Sequence, residues 1–239
     1  MTPGEIRQLA PVLHAIRRWV DVQREVSSDI VTEGFANRFA LTLRIFHALH
    51  DRGQVLTKKS FEFAFKEAVE ADGVHSAEIT HDPTFAGRDL LLDDSVAVSL
   101  KTEAAMGIKD GRITISKLME SAWTKGCKEP ADFLATVPRI TSHLRSYGRL
   151  FVLRVFGRLE STQEVRYDLV EIPVSILLAA EKLAVEDFGA ITSACGTTAT
   201  VRGEGAELYK LVFDGSDQKI TVRDLRVSRC RWHASWTLT

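Results

Sequence analysis

The chain has 239 residues, 45% hydrophobic and 26% charged, a balance that excludes a disordered or fibrous protein and allows a sizeable buried core. Its 31 basic and 32 acidic residues leave a formal net charge of -1, so only the local placement of basic groups can point to a nucleic-acid partner. Three scattered cysteines, Cys127, Cys195 and Cys230, form no C-x-x-C pair and argue against a disulfide framework or a zinc site. Reduced thiols suit a cytoplasmic location. The N-terminal stretch is too charged for a secretion signal, and no apolar run is long enough to cross a bilayer.

No low-complexity tract or Pro/Gly/Ser-rich linker interrupts the sequence. The expected organisation is one compact unit, with an N-terminal helical region over 1–56 and a core over 57–239 that ends in a β-rich part. In chain order, apolar residues first recur at helical spacing from Ile6 to Val20, with Pro11 as a kink or break. A second amphipathic run takes in Phe35, Phe39, Leu43, Phe46 and Leu49, and Gly53 is its expected stop. A third covers Thr57 to Ala71, with Phe61, Phe65, Ala68 and Val69 on one side.

The period then changes. Residues 88–94 form a short apolar run, and 96–103 alternate as a strand, with Asp93-Asp94-Ser95 as the hairpin turn between them. The pattern predicts helices over 113–123 and 130–146, strands over 149–156 and 164–172, and a helix through VSILLAAEKLAVEDF. Strands follow from about Leu208. The fold class is therefore mixed α+β, a central mixed sheet flanked by helices, with parallel pairing open to strands 96–103 and 149–156 across their helical crossover.

The chemistry concentrates in GRDLLLDDSVAVSLKTEAA, residues 87–105. Asp89 opens one strand of the hairpin. On the other, Ser99, Lys101 and Glu103 share a face, while Val98, Leu100 and Thr102 point the opposite way. An aspartate facing a lysine flanked by a hydroxyl and a carboxylate is suited to a metal site. Phosphodiester hydrolysis needs a divalent cation to offset phosphoryl charge and a positioned water, which a nearby ammonium group can orient.

This segment resembles the nuclease core of the PD-(D/E)xK superfamily, and SLKTE is similar to the version in type II restriction endonucleases. The likeness is close over about twenty residues and extends, through the order of elements, to roughly 60–173. It implies a restriction-endonuclease-like core and Mg²⁺-dependent cleavage of double-stranded DNA. It also implies Asp89 as a metal-binding aspartate, Lys101 as the catalytic lysine and the Leu100 carbonyl as a further ligand. Arg88 replaces the proline of the family pattern, and Ser99 stands where the second acid is expected. That acid is open to Glu103, on the same strand face, or to Glu62, Glu67 or Glu70 of the preceding helix, with Glu62 preferred. A homodimer cutting a short palindromic site is the expected assembly. A monomeric nicking or repair nuclease, and a non-enzymatic DNA-binding protein on a degraded nuclease core, are the alternatives.

Basic residues suggest how DNA is held. Arg139, His143, Arg145, Arg149, Arg154 and Arg158 lie in an acid-free stretch, and Ser116 and Lys117 would open the expected helix after the catalytic strand. At the C-terminal end, Arg223, Arg226, Arg229, Arg231 and His233 are candidates for a β-ribbon in the major groove. His75 and His81-Asp82 lack a matching cluster and are assigned to a loop. Gly107, Gly111 and the 203–205 GEG stretch make no nucleotide fingerprint, so no nucleotide cofactor is expected.

Overall fold

Alternation at 96–103 and a near-continuous apolar run at 149–156 place two strands at the heart of the molecule, and a computed structural model describes residues 20–50, 54–80, 88–157 and 164–239. The strands are β1 (Val20–Arg24), β2 (Ala77–Ile79), β3 (Leu90–Leu92), β4 (Val96–Glu103), β5 (Arg112–Glu120) and β6 (Arg149–Phe156). They continue with β7 (Val165–Glu171), β8 (Thr197–Gly203), β9 (Ala206–Asp214), β10 (Lys219–Arg226) and β11 (Arg231–Leu238). The helices are α1 (Glu33–Leu49), α2 (Lys58–Val69), α3 (Pro130–Arg145) and the short α4 (Val174–Leu178).

A seven-stranded mixed sheet runs β1-β11-β7-β6-β4-β3-β2, and a four-stranded sheet runs β5-β10-β9-β8. The expected fold class is borne out. β4 and β6 pair in parallel, Val98 opposite Arg149 through Glu103 opposite Arg154, with α3 inside the crossover. At the entry to β6, Gly148 donates its amide to the Ala97 carbonyl at 2.7 Å. A Cβ there would lie 2.7 Å from a Val96 methyl, so only glycine lets the strand begin so close to β4.

Capping fixes where the first two helices start. Thr32 accepts the Phe35 amide at 3.0 Å, and Thr57 accepts the Ser60 amide at 3.2 Å. Their apolar faces then close on one side of the large sheet. Phe35, Phe39, Phe61, Phe65, Phe151 and Trp236 are fully buried together with Val98 and Leu100. The Trp236 indole donates to the Ala36 carbonyl at 3.0 Å, which satisfies its polar edge. Truncating one of these phenylalanines to alanine costs roughly 3–5 kcal/mol. On the other side, Phe133, Val137, Ile140 and Leu144 of α3 share a second core with Leu150 and Val152 of β6 and with residues of the four-stranded sheet.

Three local readings are corrected. Residues 113–123 form β5 and a following 3₁₀ turn, Ala122–Gly126, instead of a helix. Ile115 faces Val222 and Met119 faces Ile220, so β5 carries extra residues between these pairs. That bulge stretches apolar spacing from two to three residues and mimics a helical period. Residues Val20–Arg24 are a strand paired with β11. The helix expected from Val174 lasts five residues and gives way to 3₁₀ turns at Ala179–Lys182 and Val185–Asp187. The expected helix from Ile6 to Trp19, the Gly53 stop, the His81-Asp82 pair and Arg158 lie outside the described residues. Among the described residues no helix is long and apolar enough to cross a membrane.

Candidate active site

The β3–β4 hairpin builds the site. Asp93 and Asp94 turn the chain with φ of 49° and 55°, a region that Asp tolerates better than most residues. Asp93 fixes the turn through the Ser76 amide at 2.9 Å and the His75 ring at 2.7 Å, which also accounts for His75. With Leu90 opposite Val98, Asp89 falls beside Ser99, and its amide donates to the Val98 carbonyl at 2.9 Å.

The Asp89 carboxylate is held from three directions. Its Oδ2 accepts from the Leu100 amide at 2.6 Å and from the Ser99 hydroxyl at 3.1 Å. Its Oδ1 accepts from Lys58 Nζ at 2.6 Å. Lys58, the first residue of α2, also lies 3.4 Å from Glu62 one turn on. Burial raises the Glu62 carboxyl above its ordinary range; Lys58 opposes that rise, and the negative charge of Asp89 adds to it.

Lys101 follows two residues after Ser99 on the same face. It shares a cleft of about 610 Å³ with Lys58, Asp89, Ser116, Lys117 and His143. Burial and the neighbouring Lys58 and Lys117 charges outweigh the attraction of Asp89 and Glu62, and lower its ammonium pKa to about 8. The cleft therefore combines an anchored carboxylate with several cationic groups, and Glu62 is joined to it through Lys58.

Ser116 and Lys117 enter the cleft by a different route from the expected one. No helix N-terminus presents them; the β5 bulge does, leaving both consecutive residues exposed. Lys117 also pairs with Glu120 at 2.6 Å.

Glu103 shares the strand face of Lys101, yet its carboxylate is engaged elsewhere. Arg154 Nε donates to it at 2.7 Å and the Thr114 amide at 2.7 Å, with both ion-pair side chains almost wholly buried. Arg154 also donates to the carbonyls of Lys109, Asp110 and Arg112 at 2.6, 2.9 and 2.7 Å. This pair fastens β4 to the loop leading into β5, and the structure places the Glu103 carboxylate in it, away from the Asp89 cleft. Arg154 faces Glu103 in the parallel register, and an arginine amid the apolar residues 150–156 was the signal available for that pairing.

The remaining basic candidates separate by environment. Arg226 and Arg229 are exposed around the turn after β10, but β10 and β11 lie in different sheets and form no ribbon. Arg145 is exposed and paired with Glu181 in a separate hollow with Leu134 and Val137. Arg149 bonds Asp29 and Glu171 and lies 4.9 Å over the Phe151 ring, and Arg231 bonds Asp29 and the Ser27 carbonyl. His233, expected at the DNA surface, is fully buried between Ser28 at 2.7 Å and Glu171 at 2.9 Å, because β11 turns it into the sheet. The alternation that joined Arg229 to Arg231 breaks at the 3₁₀ turn Val227–Arg229.

Sequence reasoning missed Lys58, although its four-residue spacing from Glu62 was a legible signal.

A large mixed sheet flanked by helices, bearing this acid-and-lysine cleft, has the architecture of a restriction-endonuclease-like nuclease. Residues 11–238 match the family model SmaI, described as type II site-specific deoxyribonuclease, and the chain belongs to that family. The type II restriction enzyme SmaI of Serratia marcescens is 32% identical over 216 residues, spanning 89% of this chain and 83% of the relative. No solved structure matches the chain.

Proposed function

We propose that this restriction endonuclease hydrolyses double-stranded DNA at a short specific site with Mg²⁺ held at Asp89, by chemistry of the PD-(D/E)xK kind. The observation carrying the proposal is that Asp89 and Lys101, from adjacent strands, line one cleft. The donor set suits a hard cation. Lys58 already places a positive group against Asp89 and Glu62, at 2.6 and 3.4 Å, and Mg²⁺ commonly takes one or two carboxylates. Asp89 and Glu62 would hold the ion, with the Leu100 carbonyl as the ligand that the family resemblance implies. A bound divalent cation offsets negative charge on the phosphoryl and leaving oxygens.

The protein's own groups do the rest. Lys101 donates to a water beside the phosphate and opposes the charge that grows there. Lys58, Ser116 and Lys117 bind phosphate oxygens along the cleft. Ser99 anchors Asp89 through its hydroxyl instead of supplying the second acid. A homodimer would present two such clefts to a two-fold target. The unpaired Cys127, Cys195 and Cys230 favour a reducing cytoplasm.

Plasmid digestion with Mg²⁺ and with EDTA, using wild type and Lys101→Ala, tests the reading. Cutting should require Mg²⁺ and fall by about 10²–10⁴-fold in the variant, with DNA retention in Ca²⁺ kept. Equal cutting in EDTA rejects the metal, and normal cutting by the variant rejects the lysine. Sedimentation with cleavable DNA, read with the number of strands broken, decides between dimer and monomer.

A further inference from the structure

Beyond Lys101, β4 runs on through Glu103 into a short loop, 104–111, that turns at Met106 and Gly107. Met106 is 82% exposed, the highest value of any large apolar side chain among the described residues. Gly107 has a φ of 76°, and a Cβ there would touch nothing, so backbone conformation and not crowding calls for glycine. An apolar side chain left in water at such a turn adds nothing to the stability of the free protein.

The loop stands on a fixed base. At one foot the Glu103 carboxylate accepts from Arg154 Nε and from the Thr114 amide, each at 2.7 Å. At the other, the same arginine holds the carbonyls of Lys109, Asp110 and Arg112. One buried ion pair thus clamps both legs of the loop together.

The surroundings of the loop suit a duplex. Residues 104–109 wall a hollow of about 280 Å³ that shares Thr102 and Ser116 with the cleft of Asp89 and Lys101, so the two are continuous. Exposed Lys109 lines this hollow, as does Arg112. Arg226 lies opposite Arg112 in the β5–β10 register, and the Val227 amide donates to the Gly111 carbonyl at 3.2 Å. These pairings bring the exposed Arg226 to the foot of the loop. The nearby acids are already matched, Asp110 with Arg166 and Asp224 with Lys210. Cations around the base and an apolar tip are complementary to a duplex, whose phosphates lie outside and whose stacked bases lie within.

Met106 is five residues beyond Lys101. Even fully extended, such a segment spans at most about 18 Å, or about five base steps of about 3.4 Å. We propose that Met106 is a wedge that enters between two stacked base pairs within about five steps of the cut bond, while Lys109 and Arg226 hold the flanking phosphates. This rests on the reading that DNA is cut at the cleft of Asp89 and Lys101. An unbranched, polarizable thioether fits a narrow gap between bases. The clamped legs keep the loop from yielding as the stack is pushed open.

Separating stacked pairs untwists a duplex, and a closed circular plasmid records that change. Wild type, Met106→Ala, Met106→Leu and Lys101→Ala are each bound in Ca²⁺ to a plasmid with several copies of a site first mapped by digestion in Mg²⁺. A topoisomerase relaxes the plasmid, the protein is removed, and the linking number is read on a gel. Wild type should lower the mean linking number in proportion to the copies of the site. Met106→Ala should stay bound, lose most of that shift and cut the site about tenfold more slowly. Met106→Leu, which keeps an apolar wedge, should retain both shift and cutting within about twofold. Lys101→Ala should shift the linking number as wild type does while cutting far less.

A full shift by Met106→Ala, or none by bound wild type, overturns the wedge, while slow cutting by Lys101→Ala leaves the cleft reading intact. If Met106→Ala sediments without DNA as a smaller species than wild type, Met106 joins two copies of the chain and the wedge falls. Normal cutting by Lys101→Ala overturns the cleft reading, and with it the placement of the wedge.

Discussion

Lys58 Nζ lies 2.6 Å from Asp89 Oδ1, so the first residue of α2 neutralises a carboxylate presented by the β3–β4 hairpin. With divalent metal absent, that ammonium group is the cation which keeps Asp89 and Glu62 from repelling one another. Lys58→Met should therefore lower the melting temperature of the metal-free protein by roughly 2–4 °C, the shift that about 1 kcal/mol produces in a chain of this size. Added Mg²⁺ should raise the melting temperature of the variant more than that of the wild type. Equal Mg²⁺ effects in both proteins would show that Lys58 does not share the site of the ion.

The buried Arg154–Glu103 pair gives a sharper stability prediction. Arg154→Met leaves a carboxylate with no countercharge in the interior and frees three carbonyls of the β4–β5 connection. The expected loss is about 3–5 kcal/mol by chemical denaturation. Adding Glu103→Leu removes the stranded charge and should recover part of it. A double variant as unstable as Arg154→Met would place the loss in the carbonyl contacts.

Acid stability should depend on Glu171. Burial pushes its carboxyl upward, but hydrogen bonds from His233 and Arg149 and their charges outweigh burial and lower its pKa from 4.5 to about 2. A lowered folded-state value means that the stabilisation is complete above about pH 4.5 and disappears as pH falls through 2. It amounts to roughly 3 kcal/mol. Denaturation midpoints measured between pH 6 and 2 should fall less steeply for Glu171→Gln than for wild type. Parallel profiles would remove Glu171 from the explanation.

Lys117→Ala should weaken DNA binding in Ca²⁺ and reduce the slope of log K against log salt by about one. The loss should be similar for cognate and unrelated duplexes, since a phosphate contact carries no base information. A loss confined to cognate DNA would make Lys117 a base reader instead.

The hairpin was legible because each of its signals is local: an aspartate turn, a short apolar run and alternation that puts Ser99 and Lys101 on one face. The capped helices at Lys58–Val69 and Pro130–Arg145 were legible for the same reason. β5 was not, since its bulge shifts the apolar phase and the compensating residues sit in β10, a hundred positions on. The fates of Glu103 and His233 were also out of reach. Each is decided by one distant partner, Arg154 or Glu171, and a single sequence does not reveal which charges meet in the interior. Lys58 is the first residue of the helix that carries Glu62, and its spacing from that acid was the one local sign of it.

The polypeptide leaves the seven-stranded sheet after β4, returns to it after β5, departs again after β7 and comes back after β10. Four chain crossings tie the two sheets together, so the gap between them is expected to keep its width as substrate arrives and adjustment to fall on the nucleic acid. Duplexes whose flanking steps bend or untwist easily should be cut faster than stiff ones bearing the same target, at positions no side chain touches.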